Sequence, residues 1–408
     1  MRRRSFILGA GLAGAGALGW RYWPEDGFYN ECRGDAMPAS LLQHPLVAEA
    51  VNGLDFNQVW DTHVHLIGTG DRAEGLWVNP DMMSWTSPLM HVQFKFYLDG
   101  SCTGDLDVDN RFIARVRQLM TDLPGGMKLM LLAFDYYHDE QGRQDKQRSF
   151  FHTSNEYAAS IVKSHPDKFE WIASIHPYRA NSVELLEQAV QSGARAVKWL
   201  PEAMGIDPAS PKCIPFYQAM QRLELPLLSH AGHETAVGTE GDSGSGNPLL
   251  LRTALDQGVK VIVAHCASLG QAIDLDKGAN GNTLPCFDLF SRMMSQKQYE
   301  GLLFGDISAM LQLNRLDEPI KSLLVREEWH HRLMNGSDYP LPGILPIIPM
   351  QQIVRMGLVT EAQSTVLRDI RRYNPLWFDF VLKRMLRWQG KAFSHAVFET
   401  RRYFQPTV

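Results

Sequence analysis

Short apolar runs recur along this chain, spaced to leave room for a helix between successive runs. They occupy residues 58–61, 128–134, 170–175, 195–200, 226–229, 260–264, 302–306 and 332–335. Each is β-branched or Leu-rich and short, as a buried strand is. Between them the period changes. Phe112, Ile113, Val116 and Leu119 share one face of a helix over 110–121, and a second helix over 183–190 stops at Ser192-Gly193. Stretches 213–223, 247–257, 285–299 and 317–326 continue the series, and a helix near 40–51 precedes the first strand. Strand and helix alternating eight times predict an α/β fold, a parallel sheet closed as a (β/α)8 TIM barrel, with an N-terminal extension and C-terminal helices. A doubly wound open sheet competes, but no G-x-G-x-x-G follows the first strand. The expected division is 1–20 a signal segment, 21–53 a linker and helix, 54–386 the barrel and 387–408 a tail.

Composition fits one large core: 408 residues, 45% hydrophobic and 21% charged. A net charge of -5, with no basic stripe, excludes a nucleic-acid partner as the expectation. The five cysteines contain no C-x-x-C, so neither a zinc ribbon nor a disulfide framework is expected. The N-terminus differs in kind. Arg2-Arg-Arg4 leads into a Gly/Ala-rich apolar stretch ending near Gly19, a signal-peptide layout. Arg3-Arg4-Ser5-Phe6-Ile7 resembles the twin-arginine export motif, which implies a periplasmic or exported protein, or one anchored by an uncleaved N-terminus. At roughly 14 residues that stretch is short for a membrane span, and no other segment reads as one.

Chemistry enters at the strand ends. The first strand runs into Asp61-Thr-His-Val-His65, and residues i and i+2 of a strand point to one side. His63 and His65 can therefore meet one metal ion, since imidazole is a common ligand of zinc and its neighbours. Strand 4 carries Lys198, strand 5 ends at His230, strand 6 at His265, and strand 8 runs into Asp338. A single histidine there would be an ordinary strand cap. Four histidines and an aspartate at matching ends point to a metal site at the barrel's C-terminal mouth, where such folds place their chemistry.

The set Asp61-Thr-His-Val-His65, His230, His265 and Gly336-Ser-Asp338-Tyr-Pro340 resembles the amidohydrolase superfamily of metal-dependent barrel enzymes. It is most similar to the amidohydrolase-related branch (amidohydrolase family 2), which includes hydrolases, lactonases and nonoxidative decarboxylases. Arg371-Arg-Tyr-Asn-Pro375 resembles that branch's closing motif, and the likeness covers 54–386. The resemblance implies that His63, His65, His230 and Asp338 ligate a divalent metal, zinc as the expected ion. Asp338 would also be the general base toward a water whose pKa the metal lowers to ~7. His265 would bind a second metal or donate a hydrogen bond to the substrate carbonyl. Asp61 is a candidate for fixing an imidazole tautomer.

Lys198 bears on the metal count. In binuclear members a strand-4 lysine is carboxylated and bridges two metals. The setting Val-Lys-Trp-Leu-Pro also resembles the mononuclear branch, and alternation sets Lys198 on the opposite face from Val197 and Trp199. One metal is expected, with a second held by Lys198 and His265 as the alternative. His233 and Glu234 follow strand 5, one residue out of step with the His-Ala-Gly-Glu of deaminase-like members. They and His176 stand as candidate substrate contacts. The stretch 235–247 reads as a mobile surface loop, and 67–109, with its aromatics, as a lid. The expected activity is hydrolysis of an amide, lactone or ester bond in a small molecule. The alternative is nonoxidative decarboxylation of an aromatic or muconate-like acid, and a non-catalytic metal-stabilised binding protein is a third reading.

Overall fold

The computed structural model describes residues 26–233 and 244–405. All eight expected runs form strands. β1 (Trp60–His65), β2 (Lys128–Leu132) and β3 (Phe169–Ile172) pair in parallel. β4 (Val197–Trp199), β5 (Leu227–His230), β6 (Val261–Ala264), β7 (Leu303–Asp306) and β8 (Leu333–Met334) form a second parallel arc. The arcs join at both seams. Ala173 bridges to Val197, with Lys198 N donating to Ala173 O at 2.6 Å. Val64 bridges to Tyr339, with His65 N donating to Tyr339 O at 2.9 Å. The sheet thus closes on itself without a free edge.

Helices follow the strands in order. α1 (Pro45–Val51) precedes the barrel, and α2 (Pro88–Ser101) and α3 (Val108–Leu119) lie between β1 and β2. Then come α4 (Asn155–Ser164), α5 (Ser182–Gln191), α6 (Ile214–Arg222), α7 (Arg252–Asp256), α8 (Cys286–Met294) and α9 (Glu318–Val325), one after each successive strand. α10 (Glu361–Tyr373) and α11 (Pro375–Met385) follow β8.

Alternation sorts the side chains into two layers. Trp60, Met130, Ile172, Leu228, Ile262 and Met334 fill the barrel axis, while Val64, Leu131, Val197, Trp199, Leu227 and Val263 pack in the outer layer with the helices. The floor of the barrel is closed from far along the chain. Phe404 joins the axial cluster and stacks on Trp60 with centroids 6.4 Å apart. Thr400 Oγ1 donates to Trp60 O at 2.5 Å and accepts from Trp60 N at 3.3 Å.

Three expectations change. The helix near 40–51 is two, Ala39–Leu42 and then α1, because Pro45 cannot continue a helix but suits the first position of a new one. The segment 67–109 is not a bare loop: it holds α2 and a strand, Leu76–Val78, paired antiparallel with Phe151–Thr153. Cys32 and Cys102 form a disulfide, Cα atoms 5.3 Å apart, which the widely spaced cysteines did not announce. Cys213, Cys266 and Cys286 are buried thiols outside that bridge. The signal segment lies outside the described residues. Among the described residues no helix is long and apolar enough to cross a membrane.

Candidate metal centre

Strand β1 delivers His63 and His65 to the mouth, and the turn after β8 delivers Asp338 opposite them. Two contacts fix that turn against β1. Asp338 N donates to His63 O at 2.8 Å, and Asp61 Oδ1 accepts both His63 N (3.2 Å) and Ser337 N (2.8 Å). Gly336 is required there, since a Cβ would come within 2.7 Å of the His63 Cβ. Asp61 therefore orients backbone, not an imidazole as expected, and burial pushes its carboxyl up to about 6.

His63, His265 and Asp338 converge: one ligand atom from each lies within 4.8 Å of the others, and all three residues are buried. Asp338 Oδ1 lies 3.1 Å from His65 Nε2 and 3.5 Å from His63 Nε2, and Oδ2 lies 3.8 Å from His265 Nε2. Buried Oδ1 nevertheless makes no well-aligned hydrogen bond. The hydrogen-bond partners assign the tautomers. His63 Nδ1 lies 2.9 Å from Asp306 Oδ2, and His265 Nδ1 lies 3.0 Å from Ser308 O. Both partners accept, so each Nδ1 carries the proton and each Nε2 turns a lone pair inward. Burial, with Lys198 for His63 and Arg315 for His265, pushes both imidazoles down, away from the cationic form. Burial alone would raise the Asp338 carboxyl, but His63, His65 and His265 hold it well below the usual range. Neutral imidazole nitrogens and an ionised carboxylate oxygen, converging without mutual hydrogen bonds, fit a divalent cation.

His230 lies on the same cavity, its ring 5.5 Å from that of His265. Lys198 points into the centre, Nζ 3.2 Å from His63 Nε2. Alternation, taken against Lys198 from sequence, works in its favour: Val197 and Trp199 face the helices, so Lys198 faces the axis. The structure does not bring His176 to the cavity; its Nε2 lies 2.9 Å from Met204 O and its Nδ1 accepts from Tyr178 N. His233 is exposed and lines a neighbouring groove instead. Glu234 and most of the stretch 235–247 lie outside the described residues. The cavity above the centre is walled by apolar side chains, among them Leu66, Tyr97, Phe134, Phe151, Leu200 and Leu341.

Two groups escaped sequence inspection. Asp306, fully buried at the end of β7, receives His63 Nδ1, His265 N (3.0 Å) and Ser308 N (2.9 Å), and Ser308 Oγ bonds to it as well. Burial would raise its carboxyl, yet His63 and His265 hold it far below the usual range. A polar residue closing an apolar strand, the signal used for its neighbours, also marked Asp306. The second group lies behind the Asp338 turn. Lys383 Nζ, on α11, donates to Gly336 O (2.6 Å) and to Asp379 Oδ2 (2.7 Å), all buried.

The amidohydrolase family model matches residues 60–376, well over half of the chain. No curated protein matches it. Similar solved structures include an uncharacterised TIM-barrel protein from Bordetella bronchiseptica, 13% identical, covering 75% of this chain and 93% of that one with a TM-score of 0.47. A probable 2-pyrone-4,6-dicarboxylic acid hydrolase from Acinetobacter baumannii is 15% identical (75% and 95% covered, TM-score 0.45). A 5-carboxyvanillate decarboxylase from Sphingomonas paucimobilis is 12% identical (77% and 98%, TM-score 0.39).

Proposed function

The chain belongs to the amidohydrolase family and is an enzyme, and on that premise we propose that it hydrolyses an amide, lactone or ester bond in a small molecule at the His63–Asp338 centre. The observation that carries this is the convergence of His63, His265 and Asp338 at the mouth of a walled cavity. The family is generally metal-dependent. In this reading His63, His65, His230 and Asp338 hold one ion, zinc by the preference of imidazole and carboxylate donors. A divalent ion supplies Lewis acidity, polarising a carbonyl and making water acidic near neutral pH.

The chain's own groups do the rest. Asp338, ionised and at the centre, accepts a proton from the attacking water and passes it to the leaving group. Asp306 holds His63 in the tautomer that presents Nε2. His265, whose Nε2 turns a lone pair inward, would join as a ligand where a second ion is held; protonated at Nε2 it would instead donate to the substrate carbonyl. Lys198, aimed at His63, is placed to join His265 at a second ion if two are held. The apolar walls, Leu66, Phe134, Phe151 and Leu200 among them, lower the polarity around the reacting groups.

The second reading, nonoxidative decarboxylation of an aromatic or muconate-like acid, draws support from the same apolar walls and from two cations on them, Lys198 and Arg315. We further propose export by the twin-arginine route, with the product in the periplasm. The Cys32–Cys102 bridge supports this, because such bonds persist in oxidising compartments.

Elemental analysis of the purified protein tests the centre. One zinc per chain is expected, and Asp338→Asn should retain the fold and lose turnover. No metal would remove the proposal, and two would promote Lys198 and His265 to ligands. Product analysis separates the reactions, since carbon dioxide released without uptake of water would overturn hydrolysis.

A further inference from the structure

Two walls of the cavity meet outside the ring of strands. α2 supplies Tyr97, and the chain that follows Asp338 supplies Pro340 and Leu341. Behind those residues the walls press backbone on backbone: a Cβ on Gly343 would overlap Gly100 O, and one on Gly100 would come within 3.0 Å of Pro340 O. A joint this close tolerates almost no displacement, so whatever ties the two walls also sets the shape of the cavity.

The N-terminal extension is that tie. Asn30 is only 9% exposed. Its backbone N donates to Asp99 Oδ2 on α2 at 2.9 Å, its Nδ2 donates to Gly343 O at 3.0 Å, and its Oδ1 accepts from Cys32 N at 2.9 Å. Upstream, Asp26 pairs with Arg371 at 3.8 Å, and buried Arg371 donates to Pro342 O, Ile344 O and Leu345 O. Downstream, Cys32 is bonded to Cys102, the residue that ends α2. The extension is thus anchored to the support of the turn at one end and covalently to the lid helix at the other. The loop that the bridge closes also contains β1, with His63 and His65. Cys32 is exposed, and both cysteines line an open surface groove, so a dissolved thiol can reach the bridge.

We propose that residues 26–32 are a thiol-controlled latch on the cavity, with Asn30 as its positioning residue. With the Cys32–Cys102 bridge formed, Asn30 clamps α2 to the turn that follows Asp338 and fixes the geometry of the centre. With the bridge reduced, the clamp loosens and the two walls part. This rests on the reading that the cavity holds the catalytic centre, and it adds a control on it. Opening takes a dithiol. Its thiolate attacks Cys32 Sγ, the bridge breaks, and Cys102 Sγ leaves with the electron pair and takes up a proton. The second thiol of the reagent then displaces Cys32, which leaves as a thiol, and the reagent departs as its own cyclic disulfide.

Hydrogen exchange of the full chain, read by mass spectrometry, tests the latch. Reduction with dithiothreitol should speed exchange over 94–101 and over 339–345 together, by about tenfold, at labelling times where β5 and β6 stay protected. Asn30→Ala with the bridge intact should loosen the same two segments to a smaller extent. That variant leaves the loop closure in place, so its effect cannot come from the unfolded chain. The bearing on the centre is read from the visible spectrum of the cobalt-substituted protein, which should change in Asn30→Ala and in Cys32→Ser/Cys102→Ser. Release of the metal to a chelator should quicken about tenfold in both variants. Should a variant fail to fold, exchange in the reduced wild type carries the test. Exchange that rises in only one of the two segments, or in neither, would overturn the proposal, and so would a cobalt spectrum that both variants leave unchanged. A wild type that takes up no metal while the two segments still loosen together leaves the latch standing and undoes the metal centre alone.

Discussion

Asp379 on α11 gives the fold an unusual pH dependence, which Asp379→Asn should remove. Its carboxyl is buried against Lys383 and within the field of Asp61 and Asp338. Burial is the largest influence and outweighs the pull of Lys383, so the pKa rises from an ordinary 3.8 to about 7. A folded-state pKa above the unfolded one means that stability from this group is fully present below the unfolded value. It is lost as pH rises through about 7. The shift is about 3 units, worth about 4 kcal/mol in full. At pH 5 about 1.5 kcal/mol of that loss has developed, and by pH 8 nearly all of it. Asparagine cannot ionise, so the stability of the variant relative to wild type should improve by about 2.5 kcal/mol between pH 5 and pH 8. Urea unfolding of both proteins at the two pH values reads this directly, and taking the difference cancels the titrating groups that do not interact with Asp379. A difference that stays flat with pH would refute the reasoning; it would mean that Asp379 remains ionised throughout, as the partner of a stable Lys383 ion pair.

Further outcomes follow from other contacts. Lys383→Met withdraws the donor from Gly336 O, two residues before Asp338, and should weaken metal binding about 10- to 100-fold by dialysis against a chelator; unchanged affinity would show that the turn holds its shape without Lys383. Asp306→Asn leaves His63 Nδ1 without a carboxylate and should lower metal affinity by a similar factor. Thiol titration of the denatured, unreduced protein should find three thiols rather than five. Reducing the bridge, whose partners are 70 residues apart, should destabilise the protein by roughly 4 kcal/mol on the chain-entropy model. Five thiols would exclude the bridge.

The barrel was legible because strand and helix periods differ and alternate eight times, a pattern few other folds produce. The strand ends were legible too, since polar residues that close apolar runs have few structural uses in common. What failed was orientation and distance. Lys198 was read with the correct alternation but without knowing which face was the axis; the outward packing of Val197 and Trp199 decides that, and it depends on the helices. Asp379 and Lys383 stand four residues apart on a helix, which on sequence alone reads as an exposed pair. Only the seating of α11 against the β8 turn buries them. The Cys32–Cys102 pairing depends on the N-terminal extension folding back over α2, and nothing local to either cysteine encodes that. His176 and His233 share the strand-end signal of the true mouth residues; they differ because the chain turns after β3 and β5 and carries them away.

The seal beneath the barrel orders events in time. Trp60 opens β1, yet its backbone partner Thr400 lies 340 residues later, and the ring that caps it, Phe404, later still. β1 also waits for the turn after β8 to supply its neighbour at the closing seam. During synthesis the strands and helices can form as they emerge, but the floor stays open and the axial apolar residues stay wet until residue 404 has been made. Closure of this barrel therefore joins the two ends of the described chain through contacts of high sequence separation, which form slowly. A chain whose axial side chains wait on its last residues exposes apolar surface for longer than one whose core is local in sequence.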